Sequence, residues 1–354
     1  MILNINTKLS DYDIVIESGI LSSVGKYVSA MLKKKSLSVK KMFIVTDENV
    51  DEHYGKIVET SLLGYGFEVV KYVINPGESS KNILTLAGIY SEMSEYNVTR
   101  SDMIVALGGG VVGDLAGFAA STYLRGIEYI QIPTTLLAQV DSSIGGKTAI
   151  DIAQGKNLVG SFYNPSFVLI DSEVLGTLDT RNLTSGMAEV IKYALIRDRE
   201  LYDILMKIEN KEELYSSLDE IIYRCCSIKK DVVEKDQFDR GERMILNFGH
   251  TMGHAIESYY KYSKYLHGEA VAIGMKRITE IAVKKGMVDE AVLEDMKKIL
   301  SRYGLLGTDD VPNGELIKYI QKDKKKFGDR FNIALVKEVG TSEIVETGID
   351  FFEE

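Results

Sequence analysis

Along the first half of the chain, short apolar runs alternate with stretches of helical periodicity. Lys41–Thr46 (KMFIVT) ends in Asp47-Glu48-Asn49, and Gly66–Ile74 (GFEVVKYVI) runs into the turn Asn75-Pro76-Gly77-Glu78. Leu84–Tyr96 carries apolar residues at helical spacing, and Asp102–Leu107 (DMIVAL) reads as a buried strand. Glu128–Ile132 and Ser166–Ile170 read as further strands. Strands separated by helices predict an α/β layer with a mainly parallel sheet. From about Arg181 the pattern changes to long helical segments: Asn182–Asp198, Lys211–Lys235, Met244–Tyr260, Glu269–Lys285 and Glu290–Tyr303. Strand-like alternation returns only at Arg330–Val336. The change predicts an α/β domain over residues 1–172 and a mostly α-helical domain over 173–354. A ligand site is expected in the cleft between them, a common place for pockets.

Length and charge narrow the possible functions. A chain of 354 residues can build two cores. It has no apolar run of about 18 residues, and its N-terminus lacks the basic-then-apolar plan of a signal peptide. Cys225 and Cys226 are adjacent and are the only cysteines, so a reduced, cytoplasmic compartment is expected, away from membranes. The net charge of −10, with no basic tail, argues against nucleic acid as a partner. It also repels anionic small molecules at long range. A phosphorylated substrate would therefore require cations concentrated in its site.

Two stretches carry candidate chemistry. Three of the four histidines, His250, His254 and His267, fall within Gly241–Met275. His250 and His254 share a helix face, and imidazoles converging in one place suit a divalent transition metal. Spacing alone selects His250 and His254 as a ligand pair, with His267 or Glu269 as a third. The residue after His250 is Thr251, so the general base of an HExxH protease is missing. The second stretch is Gly108-Gly109-Gly110-Val111-Val112-Gly113-Asp114, which follows a strand and opens a small-residue segment. Its glycines would let a pyrophosphate reach backbone amides at a helix N-terminus. The acidic residue expected about 20 positions onward in a Rossmann unit is absent. Glu128 is a loose substitute, and Asp47 is the better candidate for a ribose hydroxyl.

Read in order, GGGVVGDLAGF, RGIEYIQIPTTLLAQVDSSIGGKTAI, GKNLVGSFYNP, SGMAEVIKYALI, RMILNFGHTMGHAIE and LHGEAVAIGM resemble the 3-dehydroquinate synthase family of sugar-phosphate cyclases, from about Asp47 to Gly328. The resemblance implies a zinc ion, replaceable by cobalt, on Glu189, His250 and His267, which differs from the choice by spacing. It implies NAD on Asp47, Asn49, Gly77, Glu78, Lys81, the loop Gly110, Val111, Val112, Gly113 and Asp114, the pair Thr134-Thr135, and Thr177, with Lys147 and Lys156 between cofactor and substrate. For the substrate it implies Asp141, Lys147, Lys156, Asn157, Lys192, Lys229, Arg243, Asn247, His254 and Lys324. Lys147, Lys192, Lys229, Arg243, Asn247 and His254 are the catalytic set. Two registers stay open: Lys229 or Lys230, and which lysine of Lys324–Lys326. Arg125 matches an arginine given to the neighbouring subunit's site, which implies a homodimer.

The implied reaction converts 3-deoxy-D-arabino-heptulosonate 7-phosphate to 3-dehydroquinate and phosphate in the shikimate pathway. It proceeds by transient oxidation with NAD, phosphate β-elimination, re-reduction and intramolecular aldol closure. Competing readings are a 2-deoxy-scyllo-inosose or valiolone-type cyclase, a metal-dependent polyol dehydrogenase, and a catalytically silent NAD-binding regulator.

Overall fold

The computed structural model describes residues 1–307, 309–324 and 330–353, the side chains of 322–324 excepted. The chain divides into two compact units, Met1–Leu178 and Asp179–Glu354. The division falls after the boundary expected near Ser172. The 3-10 segment Ser172–Thr177 stays with the first unit because the Tyr54 hydroxyl donates to the Val174 carbonyl at 2.9 Å and lies 2.7 Å from Thr177 Oγ1.

The first unit is built on a seven-stranded sheet in the order β1-β2-β9-β6-β5-β3-β4. Its strands are β1 (Ile2–Asn6), β2 (Asp11–Ile16), β3 (Lys41–Asp47), β4 (Glu68–Ile74), β5 (Met103–Gly108), β6 (Glu128–Pro133) and β9 (Phe167–Ile170). Only the β1–β2 pairing is antiparallel. The two-residue strand period sorts each apolar run onto two faces. Met42 and Ile44 of β3 and Met103, Val105 and Leu107 of β5 join Val24, Val28, Val58 and Leu62 of α1 (Val24–Lys34) and α3 (Lys56–Gly64) in one core. Phe43, Val45, Ile104 and Ala106 point the other way. They meet Leu86, Ile89 and Met93 of α4 (Ile83–Glu95) and Leu115 and Ala116 of α5 (Gly110–Thr122). Both faces are covered, which explains why these strands read as continuous apolar runs. A separate antiparallel hairpin, β7 (Lys147–Ile152) with β8 (Gly155–Phe162), packs on α5.

The second unit is mainly helical: α6 (Thr180–Arg197), α7 (Arg199–Lys207), α8 (Lys211–Lys235), α9 (His250–Tyr259), α10 (His267–Lys284), α11 (Glu290–Arg302) and α12 (Asn313–Lys324). One hairpin, β10 (Arg330–Glu338) with β11 (Thr341–Gly348), accompanies them. Side-chain caps start several helices. Asp179 accepts from Asn182 N at 2.9 Å, Asp198 from Leu201 N at 2.9 Å, Asn210 from Glu213 N at 2.9 Å and Asp289 from Ala291 N at 2.8 Å. No helix among the described residues is long and apolar enough to cross a membrane.

The helix expected over Met244–Tyr260 is two pieces, a 3-10 turn at Glu242–Asn247 and α9. The break is at Gly249, whose φ of +79° only glycine adopts without strain. A Cβ there would lie 2.8 Å from the Val271 carbonyl and 2.5 Å from Met275 Cγ. From the other side, a Cβ on Gly274 would lie 2.1 Å from the Gly249 carbonyl. Backbone therefore touches backbone where α9 crosses α10. A methyl group at this crossing must push the helices apart. Gly274→Ala is expected to lower the urea-unfolding free energy by about 1–3 kcal/mol despite better helix propensity. Gly64→Ala, with nothing within 4 Å of its added Cβ, should be neutral or gain about 0.5 kcal/mol.

Candidate functional site

Three helices of the second unit bring together a carboxylate and three imidazoles. Glu189 lies in the middle of α6, His250 opens α9 and His267 opens α10. The α9–α10 glycine crossing sets one pair of these elements. Gly268 sets another, since a Cβ there would lie 1.9 Å from the Ser185 carbonyl of α6 and its N–H donates to Ser185 Oγ at 3.1 Å. As a result Glu189 Oε1 is 3.7 Å from His250 Nε2 and 3.9 Å from His267 Nε2. Ligand atoms of Glu189, His250 and His267 all lie within 4.8 Å of one another.

Glu189 is only 1% exposed, and among the described residues neither of its oxygens accepts a well-directed hydrogen bond. Its charge is met by the Lys192 ammonium, one turn further along α6 and equally buried, which is ion-paired to Oε2. A buried carboxylate without hydrogen bonds is costly unless another positive group completes its surroundings. His250 is prepared for that group. Burial, then the charges of Lys192, His267 and His254, hold His250 neutral by lowering its pKa well below the usual histidine value. The His250 Nδ1 lies 3.2 Å from the Phe248 carbonyl, which directs Nε2 toward Glu189. At His267 burial also lowers the pKa, but the hydrogen bond and charge of Glu257, with Glu189, outweigh it and the net shift is upward. Two imidazole nitrogens and one carboxylate oxygen suit a divalent transition metal with positions left open.

Glu269, the other third ligand that spacing allowed, is committed elsewhere. Its carboxylate takes Arg181 in a bidentate pair, at 2.7 and 2.8 Å, and caps α10 by accepting from Leu266 N at 2.8 Å. His254 is exposed on the same face of α9 as His250, with ring centroids 5.4 Å apart. Among the described residues, three cations of this unit are buried. Lys192 is 1% exposed, Arg243 2% and Lys229 5%. Arg243 Nη1 donates to the Gln237 carbonyl at 2.6 Å, and its own N–H, with those of Arg240 and Gly241, is held by Asp236. Asn247 ends the same 3-10 turn and is half-buried. Of the two lysines left open by register, Lys229 is buried, whereas Lys230 is more exposed and faces Glu234 at 3.9 Å. The Lys324 side chain lies outside the described residues, as do Lys325 and Lys326.

In the first unit, the expected nucleotide residues sit at the C-terminal ends of adjacent parallel strands. Thr46 of β3 pairs with Leu107 of β5, and Gly108 with Pro133 of β6. Asp47, the glycine loop and Thr134-Thr135 therefore line one edge. The connection after β3 leads outward to β4, whereas that after β5 leads back to β6. This is a topological switch point, where open α/β sheets bind ligands. Asp47 Oδ1 caps the single turn α2 (Glu48–Val50), accepting from Asn49 N at 3.0 Å and Val50 N at 3.1 Å, and burial raises its pKa. Gly110, Val111, Val112 and Gly113 form the first turn of α5, next to Asp114. The Thr134 hydroxyl is buried and has no hydrogen-bond partner among the described residues. Glu128, by contrast, lies at the start of β6, on the opposite edge, and accepts from Ser166 Oγ.

One ammonium ties the remaining residues of this edge. Lys81 donates to Asp114 Oδ2 and to Asn157 Oδ1, both at 2.5 Å, and lies 4.0 Å from Glu78. Glu78 follows Gly77 in the 3-10 turn and also faces Lys156 at 3.6 Å. The β7–β8 hairpin thus carries Lys156 and Asn157 near its tip and the exposed Lys147 at its base. Asp141 lies in the π-turn Ala138–Ser142, and Thr177 is held by Tyr54. Arg125 stands apart, exposed in the turn that precedes β6. Glu257 was not among the candidates; a carboxylate seven residues after His250, on the histidine face of α9, was the available signal, and the structure buries it.

Comparison with known proteins agrees with this layout. The family model of the 3-dehydroquinate synthase N-terminal region matches residues 71–185, and that of the C-terminal region matches 186–326. A 3-dehydroquinate synthase of Clostridium botulinum (strain Alaska E43 / Type E3) is 48% identical over 99% of both chains. Among solved structures, a 2-deoxy-scyllo-inosose synthase complexed with carbaglucose-6-phosphate, NAD+ and Co2+ superposes with a TM-score of 0.85 at 26% identity, over 99% of this chain and 98% of that one. A 2-epi-5-epi-valiolone synthase from Streptomyces hygroscopicus subsp. jinggangensis 5008, with NAD+ and Zn2+ bound, gives 0.84 at 28% identity, over 98% and 96% of the chains. With the two family models together spanning the glycine loop and the Glu189–His250–His267 cluster, the chain belongs to the 3-dehydroquinate synthase family.

Proposed function

We propose that this chain converts 3-deoxy-D-arabino-heptulosonate 7-phosphate to 3-dehydroquinate and phosphate, a step of the shikimate pathway. The observation that carries the reading is the buried Glu189 carboxylate facing two imidazoles, in a chain 48% identical to a 3-dehydroquinate synthase. Glu189, His250 and His267 hold a divalent ion, zinc or cobalt. Asp47, Asn49, the Gly77–Lys81 turn, the glycine loop, Thr134, Thr135 and Thr177 hold NAD. When bound, these groups supply Lewis acidity at the hydroxyl to be oxidised and a reversible hydride acceptor, with no net redox change.

The chain's own side chains bind and orient a doubly anionic sugar. Lys192 neutralises Glu189, so the ligand set carries less negative charge toward an anionic substrate. Arg243 and Lys229 supply buried positive charge suited to a carboxylate, a group that the substrates of the 2-deoxy-scyllo-inosose and valiolone enzymes lack. Asn247 and His254 hold the leaving phosphate, which acts as the base for its own elimination. Asp141, Lys147, Lys156 and Asn157 occupy the family's remaining substrate-contact positions, and Lys324 a further one. In a chain of net charge −10, a doubly anionic sugar requires such cations at the positions that contact it. Arg125 serves the neighbouring subunit in a homodimer. Supporting this, Leu124 and Arg125 both adopt left-handed backbone, with φ of 50° and 70°, a strained turn of the kind that functional contacts retain. Two buried cysteines that form no disulfide among the described residues fit a cytoplasmic location.

Phosphate release from purified protein supplied with NAD and zinc should be rapid with the heptulosonate phosphate and negligible with glucose 6-phosphate. The reverse preference would make the chain a cyclase of the inosose type, and NADH accumulating with polyols would make it a dehydrogenase. Dipicolinate should silence turnover, and zinc or cobalt should restore it; activity indifferent to the chelator would remove the metal from the mechanism. His250→Ala should reduce turnover by about 10³-fold or more, the scale of a lost Lewis acid. Lys147→Ala should reduce it by about 10²–10³-fold. Because Lys147 is exposed, its variant should melt like the parent in a thermal scan.

A further inference from the structure

We propose that Glu257 is a positioning residue for His267, an inference that rests on the metal reading above. His250, His254 and Glu257 follow one another at i, i+4 and i+7 on α9 and so share a face. Glu257 is 5% exposed, a degree of burial that carboxylates rarely show without a partner. Its Oε2 lies 3.3 Å from His267 Nδ1, while His267 Nε2 faces Glu189 Oε1 at 3.9 Å. The two nitrogens of one ring therefore look in different directions, one into the ligand cluster and one at Glu257.

An imidazole that donates Nδ1–H to a carboxylate is fixed in the tautomer whose Nε2 lone pair can bind a metal. The neighbouring negative charge also makes that nitrogen a stronger donor. His250 reaches the same tautomer through a neutral group, the Phe248 carbonyl at 3.2 Å. The two imidazoles are thus unequal ligands, and His267 is the more electron-rich. The α9–α10 crossing that brings the histidines together also brings Glu257 to His267, the first residue of α10. His254, Glu257 and His267 also have ligand atoms within 4.8 Å of one another. Hydrogen-bond separation between Nδ1 and Oε2 favours a proton over a second ion between them, and ion stoichiometry tests this.

The experiment compares parent, Glu257→Gln, Glu257→Ala and His250→Ala proteins after metal removal. Zinc affinity is read by competition with a chromophoric chelator, and the Co2+ forms are read by their visible absorption. The parent should take one ion per chain. Glu257→Ala should weaken zinc by about 10–100-fold and Glu257→Gln, which keeps an acceptor but loses the charge, by less. Both should shift the Co2+ bands, while the metal-free Gln variant melts with the parent. Should the alanine variant fail to fold, the nearly isosteric Gln variant decides the matter. Parental affinity and unchanged Co2+ bands in the variants would overturn the role of Glu257 alone, as would a parent that takes two ions and a Gln variant that takes one. Parental zinc affinity in His250→Ala would instead overturn the metal reading on which the inference rests.

Discussion

A carboxylate removed from water keeps its charge only where the protein compensates for the lost solvation, and Glu189 is held under that constraint. Lys192, three residues along the same helix, supplies the compensation locally, and both side chains are 1% exposed. Removing one partner of such a pair strands the other, at a cost of about 3–5 kcal/mol. The pair saturates only part of the carboxylate, since Oε1 points at two imidazole nitrogens and, among the described residues, accepts no hydrogen bond. Much of the second unit follows from giving that oxygen its neighbours. Helices α6, α9 and α10 must come closer than ordinary side chains permit, and glycines at their contacts allow it. The stability of the unit and the chemistry of its cluster therefore draw on the same backbone contacts.

The first unit solves a different problem with similar economy. Its apolar strands end together, and the polar residues that follow them collect on one edge without any single strand being unusual. Asp47, the Gly108–Gly113 loop and Thr134 are separated along the chain but adjacent across the sheet. Strand order, more than local sequence, makes that edge a binding site. The Thr134 hydroxyl, buried and without a hydrogen-bond partner among the described residues, adds a polar atom to that edge.

Much of this plan was legible in the chain. Apolar runs located β3, β4, β5, β6 and β9 within a residue or two, and helical periodicity located α6, α8, α10 and α11. Those patterns report side-chain faces, and they fail where the backbone decides. The periodicity of Met244–Tyr260 continues through Gly249, but the chain breaks there because the α10 backbone leaves no room for a continuous helix. The β7–β8 hairpin was missed because β8 (GKNLVGSF) is glycine-bearing and largely exposed, without clean alternation. Spacing found the histidine face of α9 but not the carboxylate of the cluster, which comes from a helix 61 residues earlier in the chain, as 250 − 189 shows. Only the family's motifs joined Glu189 to the histidines, and the Arg181 pair explains why Glu269 is not the alternative. Spacing also could not show that Glu257, on that same face, turns toward the next helix.

The Lys81 ammonium has a consequence for how the first unit assembles. Its two hydrogen-bonded partners lie 33 and 76 residues away in sequence, on α5 and on the β7–β8 hairpin. Contacts with such separation incur their loop-closure entropy before they contribute anything, so they form after local helices and neighbouring strand pairs. The hairpin tip is expected to be a late-ordering part of the unit and, in the native protein, among the first to open. Amide protons near Asn157 would then exchange with solvent sooner than those of the central strands.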